Sequence, residues 1–402
     1  MSIKFQKKFT QQESIPDEAI NSAIEVLKSG RLHRYNVVDS EDSETSLFES
    51  EYANYNGSKY ALSCASGGYA MHISLCAFGL QRGEPVLTNA FTLSPVPGAI
   101  HNAGGKSILI ETTEDLVIDL KDLEQKITSS GSRILMLSHM RGHIVDMDAL
   151  CKLLKKYEVT LIEDCAHTMG AKWGGKRSGT FGLAGCFSTQ SYKHMNSGEG
   201  GIVVSDNRDF IARAIILSGS YQFYGKHLSA PKENFIENIS LIYPNYSGRM
   251  DNLRASILRP QLRLLKENCN RWNKRYRVIE SILQKIEGIV IPERTKKEDF
   301  VGSSIQFRIP SFSPKASLLL VERCRKRGVV IKWFGNKNPV GYTSNHKSWN
   351  YLDYEELPNT DLILSTLFDL RIPLTFTIED CKLISEIICE CLLDIQTNKT
   401  SP

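Results

Sequence analysis

The chain lacks any long apolar run. No stretch approaches 18 uninterrupted apolar residues, the span a bilayer-crossing helix requires, so no membrane association is expected. Met1-Ser2-Ile3-Lys4-Phe5-Gln6-Lys7-Lys8 is basic but has no apolar segment behind it, which argues against a secretory leader. A cytoplasmic location is the expectation. A charge excess is lacking too: 49 Lys+Arg against 45 Asp+Glu leave +4 over 402 residues, too little to imply a nucleic-acid partner. There is no internal repeat and no low-complexity linker. The ten cysteines are scattered, with one C-x-C at Cys389 and Cys391 and no second pair at zinc-like spacing. They read as buried reduced thiols, and no metal site is expected.

What is present is an ordinary globular composition, 41% apolar and 23% charged, in a chain long enough for two domains. Residues 17–29 and 45–55 have helical period, closed by Gly30 and by Asn56-Gly57. Strand-sized apolar runs follow at 85–88, 106–110, 133–138, 159–163 and 201–205. Amphipathic stretches at 69–80, 119–128, 146–157 and 207–218 lie between them. This alternation predicts an α/β fold, a mainly parallel sheet sandwiched by helices. Beyond about residue 245 the pattern changes to long basic helices over 249–287. Strands at 303–309 and 329–333 and helices at 314–327 and 377–394 follow. The expected division is a large domain over 1–244, with an N-terminal helical segment, and a smaller α+β domain over 245–402.

Four segments carry chemistry. Ser66-Gly67-Gly68 precedes a helix, and amides at a glycine-rich helix start can cradle an anion. An isolated turn of this kind is more often a plain helix start. In Leu161-Ile162-Glu163-Asp164-Cys165-Ala166-His167 an apolar strand ends in acid, at the strand terminus where open α/β sheets bind ligands. A carboxylate there can face a ring nitrogen or merely cap a helix. Lys193 lies in Cys186-Phe187-Ser188-Thr189-Gln190-Ser191-Tyr192-Lys193-His194-Met195-Asn196-Ser197-Gly198-Glu199-Gly200-Gly201. Most lysines are solvated surface charges, but one with a lowered pKa forms Schiff bases. The fourth segment is Asn245-Tyr246-Ser247-Gly248-Arg249-Met250.

Together these segments resemble the DegT/DnrJ/StrS family of sugar aminotransferases. Those enzymes use pyridoxal 5'-phosphate (PLP) on the aspartate-aminotransferase fold, the PLP-dependent fold type I. The likeness covers roughly residues 15–395 and includes LFESEYANYNGSKYALSCASGG, DMDALCKLLKKYEVTLIEDCAH, GTFGLAGCFSTQSYK and NSGEGGIVVSDN. The resemblance implies that Lys193 holds PLP covalently and that Asp164 pairs with the ring nitrogen. A protonated ring is an electron sink. It implies that Ala166 packs on one ring face, and that His167 lies beside the ring oxygen or edge. Ser66, Gly67, Gly68, Ser188 and Gln190 would contribute to the cofactor site. Asn245 would reach the phosphate of a neighbouring subunit, which implies a homodimer with a shared active site.

Several positions depart from the family pattern. Gly68 stands where a threonine is usual. The aromatic expected on the open ring face falls at Leu93, with Phe91 two residues earlier, so Phe91 is a candidate for ring stacking or for the core. Arg141, in His139-Met140-Arg141-Gly142, replaces an aromatic. It could bind a substrate carboxylate or phosphate or pair with a nearby acid. Arg249 is a substrate contact or a residue that orders its own loop.

By resemblance the reaction is a two-stage transamination. A small-molecule amino donor, glutamate or glutamine, gives its amino group to the cofactor, and a keto sugar or keto cyclitol takes it. The Lys193 amine acts as general base, and ping-pong kinetics follow. Phe187-Ser188-Thr189-Gln190 is closer to the F-S-F-Q form of the cyclitol and free-sugar enzymes than to the F-Y-P-T form of those using nucleotide-linked sugars. Two alternatives stay open. One is a PLP enzyme of the same family with lyase, decarboxylase or oxygen-using chemistry. The other is a regulatory protein that kept the fold. The family's sugar dehydratases carry His in place of the lysine, and this chain has Lys193.

Overall fold

The computed structural model describes residues 3–38, 41–231, 239, 241–244 and 246–397. Its main sheet contains β1 (Tyr60–Cys64), β2 (Pro85–Asn89), β3 (Lys106–Ile110), β4 (Ile134–Ser138) and β5 (Thr160–Asp164). After a short ribbon formed by β6 (Lys172–Trp173) and β7 (Lys176–Arg177), the chain adds β8 (Ala184–Ser188) and β9 (Gly201–Ser205). The seven strands are ordered β1-β9-β8-β5-β4-β2-β3. Pairings from β3 through β8 are parallel, and β9 is antiparallel to both β8 and β1. The carboxyl ends of β1, β2, β4, β5 and β8 therefore share one edge, and the β8–β9 connection lies there too.

The strands read as unbroken apolar runs because both sheet faces are covered. In β4, Ile134 and Met136 enter one core while Leu135 and Leu137 enter the other. The first core takes side chains from α3 (Gly67–Phe78), α4 (Pro95–Asn102) and α7 (Arg208–Leu217). The second takes them from α2 (Glu44–Asn56), α5 (Leu120–Ser130) and α6 (Met147–Lys156). Side chains of Asp119, Asp146 and Asn207 accept hydrogen bonds from the first-turn amides of α5, α6 and α7. These caps explain why the helices start where the sequence pattern puts them. Gly30 and Gly57 adopt left-handed conformations at the ends of α1 (Asp17–Ser29) and α2.

The basic stretch after residue 248 is one helix, α8 (Asn252–Leu283), of 32 residues and about 48 Å. Pro260 lies inside it and is buried, and its ring forfeits one hydrogen bond to the preceding turn. The first two thirds of α8 give Leu258, Leu265 and Trp272 to the second core of the large sheet. Its last turns give Tyr276, Ile279 and Leu283 to a separate core. That core lies on one face of an antiparallel sheet, ordered β11-β13-β12. Its strands are β11 (Ser304–Arg308), β12 (Ile331–Trp333) and β13 (Leu367–Arg371), preceded in the chain by β10 (Glu298–Asp299), which pairs with β6. The small core is completed by α9 (Pro314–Lys326), α11 (Ile378–Thr397) and the N-terminal Phe5 and Phe9, whereas α10 (Pro358–Ser365) sits in a fourth cluster with Phe91. No helix among the described residues is long and apolar enough to cross a membrane.

Candidate active site

The site is assembled at the shared edge of the large sheet. β5 ends in two carboxylates that alternate to opposite sides. Glu163 accepts hydrogen bonds from the amides of Gly179, Phe181 and Gly182 and faces His139 Nε2 at 3.1 Å. Its oxygens are occupied by the fold, so it acts as a structural anchor. Asp164 has fewer partners: Ser138 Oγ donates to Oδ2 at 2.8 Å, and the Ala166 amide donates to Oδ1 at 3.1 Å. Ser138 is in turn fixed by Asn89, whose Oδ1 accepts from its amide at 2.8 Å. A carboxylate held this way is oriented before any ligand arrives.

Lys193 lies in the loop between β8 and β9. Backbone bonds from Thr189 to Gly200 and from Ser191 to Gly198 lace this loop. Its Nζ is 2.9 Å from His167 Nε2. Burial of the amine lowers its pKa to about 8, with Asp164 opposing the shift and Arg141 and Arg371 adding to it. Burial, together with Lys193 and Arg141, pushes the imidazole of His167 well below its usual range. The Arg141 amide donates to His167 Nδ1 at 3.4 Å. A neutral imidazole accepting at Nδ1 carries its proton on Nε2. His167 Nε2 is then placed to donate to Lys193 whenever that amine is neutral, the protonation state in which lysine is nucleophilic.

The end expected to hold a phosphate is built by β1, α3 and β8. Ser66 caps α3, its hydroxyl accepting from the Tyr69 amide at 3.1 Å. The Gly67 and Gly68 amides precede the first intrahelical bond and have no protein partner among the described residues. A Cβ at Gly67 would stand 2.8 Å from Ser188 Cβ. That close approach is what brings an amide donor beside a buried hydroxyl. Unpartnered amides, an adjacent hydroxyl, a preset carboxylate and a lysine of lowered pKa are the groups that a phosphate-bearing pyridine aldehyde requires, so the residues fit PLP.

Other expected site residues are drawn into the protein's own structure. Gln190 Oε1 accepts from the Tyr192 amide at 3.0 Å, so it shapes the turn ahead of Lys193. Phe91 is fully buried and packs edge-on against Phe334, with centroids 5.2 Å apart. Leu93 packs against the same cluster. The core role is the one its surroundings explain. Arg249 uses both Nη atoms locally, on Gly219 O at 2.5 Å and Ser247 Oγ at 2.7 Å. These bonds order its own loop. Arg141 faces Asp369 Oδ2 at 3.1 Å, the acidic partner that the sequence left open. His194 turns away from the site, with its Nε2 3.1 Å from Ser303 Oγ and its ring edge-on to Trp272. Asn245 lies outside the described residues.

Ser138, Lys332, Asp369 and Arg371 border the site without having been anticipated. The available signal was in β13: Leu367-Phe368-Asp369-Leu370-Arg371 alternates apolar with charged residues, the period of a strand with one polar face.

Comparison with known proteins agrees with this geometry. The profile of the DegT/DnrJ/EryC1/StrS aminotransferase family matches residues 13–389. The GDP-perosamine synthase of Escherichia coli O157:H7 is 30% identical over 265 residues, 65% of this chain and 68% of that protein. The 3-amino-5-hydroxybenzoate synthase of Amycolatopsis mediterranei is 27% identical over 319 residues, 78% of each chain. Among solved structures, 3-amino-5-hydroxybenzoic acid synthase superposes with a TM-score of 0.82 at 24% identity, covering 96% of this chain and 99% of that one. The E. coli GDP-4-keto-6-deoxy-D-mannose-3-dehydratase with bound hydrated PLP superposes with a TM-score of 0.81 at 19% identity, covering 96% of this chain and all (100%) of that one. These structures share the fold. This chain belongs to the DegT/DnrJ/EryC1/StrS aminotransferase family, on the fold of the PLP-dependent fold type I enzymes.

Proposed function

We propose that the protein is a PLP-dependent aminotransferase that moves an amino group from glutamate or glutamine to a keto sugar or keto cyclitol. The observation that carries this reading is the buried amine of Lys193, its pKa lowered to about 8 and held 2.9 Å from His167 Nε2, at the strand edge that also carries Asp164. PLP would supply an electron sink for the donor's α-carbon. Asp164, preset by Ser138 and the Ala166 amide, would hold a proton on the ring nitrogen. The Gly67 and Gly68 amides and the Ser188 hydroxyl would anchor the phosphate, and Ala166 would pack on a ring face. Lys193 would accept the proton from the donor's α-carbon, and His167 would orient its amine. The expected division at residues 244 and 245 goes with this reading, the first part holding the cofactor. The names of the relatives include a sugar-nucleotide enzyme, a putative cyclitol aminotransferase and an aminobenzoate synthase, which supports a cyclic keto acceptor.

The test is a half-reaction. Glutamate or glutamine added to the PLP-loaded protein, without acceptor, should bleach the visible cofactor band and raise a near-ultraviolet one, with release of one equivalent of keto acid. A visible band indifferent to every amino acid would favour the lyase, decarboxylase or oxygen-using alternative. Dehydration of the family's histidine-bearing kind is disfavoured by the presence of Lys193.

A homodimer goes with the same reading. Leu241, Ile242 and Tyr246 are 91%, 69% and 57% exposed, and Tyr246 lies beside the α3 start, where Tyr69 Oη donates to Tyr246 O at 3.2 Å. Covering that surface would favour pairing of subunits near the cofactor site. Sedimentation equilibrium should give twice the chain mass at micromolar concentration. A fully active monomer would contradict the shared site.

A further inference from the structure

The small sheet turns one face to its core and the other to the catalytic edge. Phe368 and Leu370 of β13 enter the core, so Asp369 and Arg371 point the opposite way. Register brings neighbours onto that polar face. Gln306 pairs with Asp369 and Ser304 with Arg371 across β11, while Lys332 pairs with Asp369 across β12. The face meets the large sheet at two places. Asp369 lies against Arg141, and the guanidinium carbon of Arg371 sits 3.9 Å from the centre of the Tyr192 ring. Tyr192 is the residue before Lys193.

The charges on this face do not balance. Arg141, Lys332 and Arg371 are cations, and Asp369 is the carboxylate among them. One of its oxygens is taken by Gln306 Nε2 at 2.7 Å, the other by Arg141. Neither Lys332 nor Arg371 has a carboxylate within 4.0 Å among the described residues; each lies instead against a ring, Lys332 at 5.7 Å from Tyr342 and Arg371 on Tyr192. Arg141 faces Asp369 in poor hydrogen-bond alignment, which leaves its buried Nε and Nη2 without a hydrogen-bond partner. Arg141 also holds a left-handed backbone, φ 56° and ψ 20°, a strain typical of functional sites in a non-glycine residue. The environment resists these charges: burial lowers the pKa of Arg371 to about 10 and also lowers that of Lys332, each opposed by Asp369. Arg141 with unfilled donors, beside Lys332 and Arg371 with no carboxylate of their own, is the complement of an absent anion. The Tyr192 ring and Gln12, whose side-chain oxygen accepts from Arg371 Nη2 at 2.7 Å, hold the guanidinium in place.

We propose that Arg141, Lys332 and Arg371 form an anion subsite on the small sheet, which takes a carboxylate or phosphate group of a substrate while its reacting carbon lies at Lys193. The substrate that uses this subsite is anionic, and a neutral sugar would leave it unfilled. The inference deepens the aminotransferase reading and rests on it for the place of the reacting carbon.

The test uses anions that cannot react. Glutarate has two carboxylates but no amine and no ketone; inorganic phosphate is the second probe. Each is titrated calorimetrically into the PLP-loaded full-length protein at constant ionic strength. At least one should bind with a dissociation constant of about 10 mM or tighter, and the preferred probe distinguishes a carboxylate site from a phosphate site. Arg371→Met and Lys332→Met should each weaken that binding about tenfold or more. Lys315→Met, an equal charge change on α9, should leave it alone. Failure of both probes to bind the unaltered protein would overturn the subsite, as would binding that survives both substitutions. If Arg371→Met does not fold, Lys332→Met decides alone, and unchanged affinity in that variant rejects the proposal. Glutarate undergoes no transamination, so a failed half-reaction with intact glutarate binding would refute the aminotransferase reading and spare the anion site. Lost binding with an intact half-reaction would do the reverse.

Discussion

Lys193→Ala should reduce amino transfer by at least about a thousandfold, because in the proposed function it removes both the group that would capture the cofactor and the general base, each worth orders of magnitude. Borohydride reduction of the PLP-loaded protein followed by peptide mapping should place the label on Lys193. A label on any other lysine, or an active Lys193→Ala variant, would remove the basis of the assignment. The effect should depend on pH in a particular way. With its pKa lowered to about 8 by burial, the amine is half neutral at that pH, whereas an ordinary lysine would be neutral in only about 0.3% of molecules. Capture of added PLP, followed by growth of the visible band, should therefore rise through pH 8 and level off. A profile that keeps climbing toward 10.5 would show an unperturbed lysine. The same shift bears on stability. The folded state disfavours the protonated amine, so the burial cost is present in full below pH 8. It disappears as pH rises from 8 toward the unfolded value of 10.5.

Not all of this arrangement was legible in the sequence. Strands β3 and β9 coincide with apolar runs, and α1 with a helical period bounded by its terminal glycine. β8 gives a weaker signal, because close backbone crossings demand glycine in it. A Cβ at Gly185 would lie 2.4 Å from Gly179 Cα, and glycine interrupts the apolar run that marks a strand. Residues 249–287 read as several helices because Pro260 ordinarily ends one, yet burial on both sides of it carries α8 through. The Lys193 and Asp164 segments stood out because their chemistry is local in the chain. Arg371 and Lys332 did not, since their meaning arises from cross-strand register with Asp369 and from distance to a loop some 140 residues away or more. Asp164 was visible, but Ser138 and Asn89, which orient it, come from separate strands.

A second large effect is expected far from the reacting atoms. Glu49 on α2 is wholly buried, with 0% of its side chain exposed. It accepts two bonds from Arg34, at 3.0 and 2.9 Å, and two at 2.8 Å from the Ser63 amide and hydroxyl; it also lies 3.2 Å from His227 Nδ1. Glu49→Ala would strand the Arg34 guanidinium in the interior, and breaking a buried pair from one side costs about 3–5 kcal/mol. Urea unfolding should report that loss, and Glu49→Gln, which keeps the shape and some of the bonds, should lose less. Acid should act through the same groups. Burial alone would raise the Glu49 pKa, but Arg34 and then His227 outweigh it and hold the group at about 2. Its contribution is complete above the unfolded value of 4.5 and disappears as pH falls toward 2. His227, lowered by burial and by Arg34, adds a loss that begins below 6.5 as the buried neutral ring is forced to charge. Stability of the unaltered protein should thus fall steeply between pH 4.5 and 2, and Glu49→Ala should flatten that part of the curve. A variant that is as stable as the parent at pH 7, or equally steep in acid, would mean the network carries no net energy. Because Ser63 lies on β1 three residues before Ser66, loosening it should also weaken cofactor retention on dialysis. The phosphate cradle proposed at the start of α3 would then depend for its position on a carboxylate that has no part in holding the ligand.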